Sequence, residues 1–192
     1  MKKAMLCGLF AALIGSPALG AWQLESGSSL EFVSTKANVA AEVHHFEELS
    51  GGIDADGGVT VRIDLNSVNT AIEIRDERMR DLLFETAEFP AATIFTTVEL
   101  SMLERLEPGS QTLMDIVATL EIRGTRTDLS AVVDVARLTE DKLLVSSSRP
   151  IVVNAPQLDL GEGVEKLREI AGLPSISPAV PVTFSFVFSK TR

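Results

Sequence analysis

Three features of the sequence predict an all-β fold, an antiparallel barrel or sandwich of about eight strands with short helices. Apolar and polar residues alternate with period two in segments spread along the chain. Glycine- and proline-bearing turns separate those segments. Helical spacing is confined to two stretches, and nothing resembles the regular strand-helix-strand alternation of a parallel sheet.

The chain opens on MKKAMLCGLFAALIGSPALGAW: Lys2 and Lys3, an apolar run from Ala4 to Ile14, then Ser16, Pro17 and small residues. This layout predicts a cleaved secretory leader over residues 1–20 and one mature domain over 21–192, because the run is too short to span a bilayer. Cleavage after Gly20 places Ala18 and Gly20 where small side chains are required, whereas cleavage after Ala21 would put Leu19 there. Cys7 stands at the front of the apolar run, away from the cleavage point, which argues against a lipid-anchored N-terminus.

Loss of the leader removes the only cysteine, so the mature chain is expected to have neither disulfides nor thiol chemistry. With 17 basic against 27 acidic side chains the formal charge is −10, and loss of Lys2 and Lys3 takes it to −12. Such a surface argues against nucleic acid and against electrostatic docking to anionic lipid. Hydrophobic residues make up 45% of the chain and the mean hydropathy is +0.23. That excess fits either a densely apolar β core or a lined internal cavity.

Trp22 and Leu24, then Leu30, Phe32 and Ser34, read as parts of a first strand broken near Gly27. From Val39 to Ile53 the pattern weakens, and Gly51-Gly52 and Asp56-Gly57-Gly58 read as turns. The second turn leads into a half-buried strand in which Val59, Val61, Ile63 and Leu65 alternate with Thr60, Arg62 and Asp64, so a hairpin is expected. After Asn66-Ser67 the period changes. Ile72, Met79, Leu82, Leu83 and Thr86 fall at helical spacings among charges, Thr70 and Glu73 stand as in a capping box, and a start nearer Asp76 is equally consistent. The helix is expected to end before Phe89-Pro90, since the residue preceding a proline is pushed out of the helical region.

Beyond Pro90, Ile94, Thr96, Val98, Leu100 and Met102 share one face of an expected strand, and Pro108-Gly109 is a turn. Met114, Ile116, Ala118, Leu120 and Ile122 give the cleanest alternation, and Gly124 turns it into a strand presenting Leu129, Ala131, Val133 and Val135. Lys142 to Asn154 forms another strand, with Pro150 suited to an edge or bulge. A short helix is expected over 164–170, stopped by Gly172 and Pro174. The final strand alternates Val182, Phe184, Phe186 and Phe188 with Thr183, Ser185 and Val187, a face that must point into the interior, as core or as cavity wall.

The stretch SVNTAIEIRDERMRDLLFETAEFPAATI, with the earlier HHFEELSGGI, resembles the YceI family of bacterial secreted proteins, and the likeness runs from Trp22 to Phe188. The resemblance implies an eight-stranded lipocalin-like antiparallel barrel with a helix near one end, around an apolar cavity in which some members hold a long isoprenoid chain. It also implies a periplasmic location, and decides for a barrel over a sandwich.

Candidate chemistry is sparse. His44 and His45 are adjacent, so on a strand they point to opposite faces and cannot both grip one ion; no cysteine or third histidine completes a metal site. One of them could serve a polar ligand head or sense pH, or simply occupy the surface or a satisfied core. The run from Arg75 to Asp81 reads either as a contact for a ligand head or partner at the barrel mouth, or as a solvated face with intrahelical pairs such as Asp76 with Arg80. No nucleophile elbow, Walker loop or dinucleotide fingerprint is present, and Ser146-Ser147-Ser148 has no local base.

The expected function is therefore a carrier, not an enzyme: a secreted barrel that sequesters an apolar lipid, isoprenoid or isoprenoid quinone, without covalent chemistry and with no other cofactor. Its expected lining is Phe32, Val61, Ile63, Ile94, Val98, Leu100, Ile116, Leu120, Phe184 and Phe186, with Met79 and Leu83 of the helix covering one end. The partners expected are the lipid and a transient membrane or membrane-protein contact, and no nucleic acid. Two other readings stay open: a barrel packed solid by its phenylalanines that acts as a protein-binding or stress-response module, and an enzyme on a small apolar substrate with Asp76, Glu77 and Arg78 as its working groups.

Overall fold

The computed structural model describes residues 21–37 and 39–191, so the expected leader over 1–20 lies outside the described residues. Twelve strands, β1 (Trp22–Leu24), β2 (Ser29–Lys36), β3 (Ala40–Phe46), β4 (Leu49–Ile53), β5 (Gly58–Asp64), β6 (Val68–Asn69), β7 (Ala91–Thr97), β8 (Gln111–Ile122), β9 (Thr125–Thr139), β10 (Lys142–Ser147), β11 (Ile151–Asn154) and β12 (Ala179–Lys190), form one antiparallel sheet. The order β1-β4-β5-β7-β8-β9-β10-β12 returns to β1 through Trp22 opposite Lys190 and Leu24 opposite Phe188. That closes an eight-stranded barrel, which leaves the ring without a free edge. At one end β12 also pairs with β2, β2 with β3, and β3 with the two-residue β6, so a flap extends the barrel wall.

Local chemistry sets the turns. Between β8 and β9, Arg123 at φ 49° and Gly124 at φ 74° are the two central residues of a tight hairpin, the sign of φ that matches the strand twist. Between β4 and β5, the Asp54 Oδ1 accepts from the amides of Asp56 at 2.9 Å and Gly58 at 2.7 Å, fixing the expected hairpin. Gly51-Gly52, expected as a turn, instead lies inside β4. A Cβ on Gly51 would sit 2.0 Å from the Thr60 carbonyl oxygen, and one on Gly52 would sit 2.3 Å from that of Trp22, so glycine is required by the close approach of strands on both sides. The strand expected over 142–154 is divided at Pro150 into β10 and β11.

Three corrections concern helices. The strand expected through Met102 stops at Thr97, and Leu100–Arg105 forms α2, because Leu103 at helical spacing is the side chain that reaches the core while Met102 stays exposed. The helix expected to run from Ile72 toward Thr86 is instead α1 (Glu73–Arg78) continued by a π-helical turn, Met79–Phe84, which ends at Glu85 in the left-handed conformation. The Thr70–Glu73 capping box does not form: Asp76 reaches back and accepts from both the amide (2.9 Å) and the hydroxyl (2.5 Å) of Thr70. The final helix, α3 (Gly161–Ile170), begins three residues earlier than its apolar spacing suggests.

The two barrel ends are closed differently. At the first, Trp22, Ile53, Leu143 and Phe188 are buried, and α2 covers them with Leu103. Arg137, itself buried, lies over the Trp22 ring at 5.4 Å and donates from Nη1 to the Leu103 carbonyl at 2.8 Å, from Nε to that of Thr139 at 3.0 Å, and from Nη2 to that of Glu140. At the opposite end, Leu65 and Val68 lead into α1 and the π-helical turn, whose Met79, Leu83 and Phe84 point inward and pack beneath α3. Gly163 lets α3 approach, since a Cβ there would meet the Leu82 carbonyl oxygen at 2.7 Å and the Leu83 Cα at 2.8 Å. Gly163→Ala should force the two helices apart and cost about 1–3 kcal/mol; an unchanged urea midpoint would show that this contact is slack.

Candidate lipid-binding cavity

Along every strand of the ring, period two sends one set of side chains inward. These residues enclose a cavity of about 250 Å³ that runs from Leu103 under α2 to Leu160 and Val164 beside α3. All of the lining side chains are apolar except Thr96. The Thr96 hydroxyl donates to the Val117 carbonyl at 2.8 Å, and a space of this size with so little to hold water is one that hydrocarbon fills favourably.

Of the residues expected to line it, Phe32, Val61, Ile63, Met79, Leu83, Ile94, Val98, Ile116, Leu120, Phe184 and Phe186 do so. Leu100 does not: its expected place on the β7 face is lost where the chain turns into α2, and it packs against the core from there. The three phenylalanines of β12 form a ladder. Phe184 stacks on Phe186 at 4.4 Å between centroids, and Phe186 meets Phe188 edge-on at 6.5 Å. Phe188 is buried at the Trp22 end, while Phe184 is half-buried, so the ladder forms one wall and leaves the interior hollow. Further lining comes from the strands themselves, and part of it, including Phe46, Phe84, Leu158 and Leu160, comes from the weakly patterned β3 and from irregular caps, where no period marks the inward face.

Outside the lining, at the end covered by α1, the face of β2 and β3 that carries Phe32 and Phe46 turns polar. Phe32 stands opposite His44 in the β2–β3 register, and Ser34 opposite Glu42. His44 is only 2% exposed, whereas its neighbour His45 is exposed, as alternation requires. The His44 Nε2 lies 2.9 Å from the Ser34 hydroxyl, and the ring packs edge-on against Phe32 at 5.3 Å. Glu42 binds Lys36 at 2.6 Å and also receives Nη1 of Arg75 from α1. Arg75 further donates to the Thr70 hydroxyl at 2.7 Å and to its carbonyl at 2.5 Å. Arg75 of α1 is thus tied to the flap and to Thr70, and Asp76 is held by Thr70 in place of an intrahelical pair with Arg80.

Burial and then the Arg75 guanidinium hold the His44 imidazole below the usual histidine range, while Lys36, followed by Arg75, keeps Glu42 below the usual carboxylate range. The unfolded chain takes up a histidine proton near pH 6.5, and the folded chain only at lower pH. The contribution of His44 to stability is therefore complete above that value and is lost as the pH falls through the window beneath it. Urea midpoints measured from about pH 7 down to about pH 5.5 should decline, and His44→Gln should flatten that decline; an identical slope in the variant would remove His44 as its source.

The profile of the YceI-like domain matches residues 22–188. The chain belongs to the YceI-like family. Among solved structures, a polyisoprenoid binding domain from Saccharophagus degradans implicated in plant cell wall breakdown is 39% identical, with a TM-score of 0.88 over 89% of this chain and 99% of that one. BcnA of Burkholderia cenocepacia is 17% identical, with a TM-score of 0.65 over 85% of this chain and 98% of that one. A Campylobacter jejuni YceI protein is 16% identical, with a TM-score of 0.57 over 78% and 85%. At these lower identities the likeness is one of fold. No curated protein sequence matches this YceI-like chain.

Proposed function

We propose that this YceI-like protein is a secreted carrier that holds a long apolar lipid of isoprenoid type, a polyprenyl chain or an isoprenoid quinone, inside its barrel without covalent chemistry. The observation that carries this reading is the continuous apolar lining from one end of the barrel to the other. The likeness to a polyisoprenoid binding domain supports the ligand class. Binding would draw on the removal of hydrocarbon from water, about 0.8 kcal/mol per CH₂, so ten such groups supply roughly 8 kcal/mol before the costs of association. Residues 1–20 would direct the chain to the periplasm and be removed, leaving 21–192 as the carrier, which meets a membrane or membrane protein when it loads and unloads. The mature surface, rich in carboxylates, favours brief contact over lasting adhesion to anionic lipid.

The test is extraction of the protein purified from its native source, followed by mass spectrometry of the organic phase. One prenyl lipid per chain is the expected result. Repeated recovery of protein with no stoichiometric apolar molecule would overturn the reading.

A further inference from the structure

Pairing between β7 and β8 is short. It runs only from Thr93 opposite Glu121 to Phe95 opposite Thr119, although β8 reaches back to Gln111. One step beyond, the Val117 carbonyl receives the Thr96 hydroxyl at 2.8 Å in place of a backbone amide, and β7 then ends at Thr97. The two strands part there, and the cavity lining lies on both sides of the fork: Thr96 and Val98 on one, Met114 and Ile116 on the other. The segment that joins them, α2 with its flanks, puts Leu103 into the same lining. Exposed Leu113 and Val117 flank Met114 and Ile116 along β8, so apolar surface continues from the lining to the outside of the barrel.

This segment is pinned at its two ends and lightly held between them. Val98 donates its amide to the Gly57 carbonyl at 2.9 Å, and Gly109, at φ 84°, donates to the Arg137 carbonyl at 2.7 Å. Between those points it meets the barrel through Leu100, Leu103 and Leu106, of which Leu103 alone is buried, and through the bond from Arg137 to the Leu103 carbonyl. Glu99, at the N-cap of α2, makes no capping bond. A helix of six residues does not persist in water by itself, so release from the barrel also means unwinding. The opposite end is tied more firmly: Gly163 seats α3 on the π-helical turn, and Arg123 bonds both Glu85 and the Asp159 carbonyl at 2.9 Å. Resting on the carrier reading above, we propose that the stretch from Glu99 to Pro108 is a hinged strap, and that its undocking opens the barrel wall between β7 and β8 so that the lipid chain enters and leaves sideways.

All-trans-retinol, a prenyl alcohol that takes energy from tryptophan, reports uptake by the full mature chain through Trp22, its one tryptophan, and a chase with excess geranylgeraniol reports release. Ser101 and Glu104 are exposed on α2 and stand outside the lining, so Ser101→Gly with Glu104→Gly weakens the helix without reshaping the cavity. Because uptake and release pass through the same open state, both rate constants should rise about fivefold while their ratio holds. Glu99→Ser supplies the missing cap and should lower both about threefold, an arm that reads the strap even if the glycine pair loosens the fold. Glu165→Gly with Lys166→Gly, the same weakening at exposed positions of α3, should change neither rate. Strap variants that leave both rates at the wild-type values or alter release alone, or faster exchange in the α3 variant only, would overturn the proposal and leave the carrier reading standing. No binding of retinol or of geranylgeraniol by the unaltered chain would overturn the carrier reading itself.

Discussion

Arg137→Ala is expected to lower folding stability by about 3–4 kcal/mol. Arg137 is buried, and its guanidinium joins three carbonyls from two parts of the chain: Leu103 in α2, and Thr139 and Glu140 where β9 leads toward β10. Removing it strips the Leu103 carbonyl of a buried donor and takes away the plane that lies over Trp22. The nearby Glu140 carboxylate is 84% exposed at 4.0 Å, so the ion pair contributes little and the carbonyl bonds carry the effect. Urea denaturation at neutral pH measures the loss. Arg137→Lys should recover only part of it, since a single ammonium cannot span three fixed acceptors. A loss below about 1 kcal/mol for the alanine variant would mean that water replaces the guanidinium at this end of the barrel.

Ala118→Trp is expected to abolish lipid uptake while sparing the fold. Ala118 lies on the inward face of β8, opposite Leu129 of β9, and lines the cavity with one of its smallest side chains. An indole there projects into space that the protein does not itself fill, so its cost from local crowding stays near 1–3 kcal/mol. The same ring takes volume from the ligand, and affinity for a prenyl chain should fall by about a hundredfold or more. Copurified lipid measured by mass spectrometry, beside a circular-dichroism melt of the same sample, separates the two effects. A folded variant that still carries a full complement of lipid would show that the barrel interior is not where the lipid resides.

Much of the barrel wall was legible because a strand advertises its buried face. β8 and β9 alternate without interruption, and their inward residues from Met114 to Ile122 and from Leu129 to Val135 are those that line the cavity. The ladder of Phe184, Phe186 and Phe188 was legible for the same reason, but its consequence was not: whether it plugs or walls the interior depends on the barrel's width. Leu100 shows the limit of the method. A short apolar alternation that meets a helical spacing reads equally well both ways, and Leu103 tipped the balance by reaching the core under Arg137. Gly51-Gly52 shows another, since a glycine pair reads as a turn unless the strands pressing on both sides are known.

Alone, the order of residues determined most strands of the ring with their inward faces, and the β4–β5 and β8–β9 hairpins, since each depends on neighbours within a few positions. Membership in the YceI-like family was also carried there, in the run from Ser67 to Ile94. Tertiary structure decided what local pattern cannot encode: that β12 returns to β1 and shuts the ring, that a hollow remains within it, and that His44 is buried beside Ser34 while His45 is not. Closure, free volume and a buried imidazole are properties of groups brought together from distant parts of the chain, so they arise only when the sheet curls round on itself.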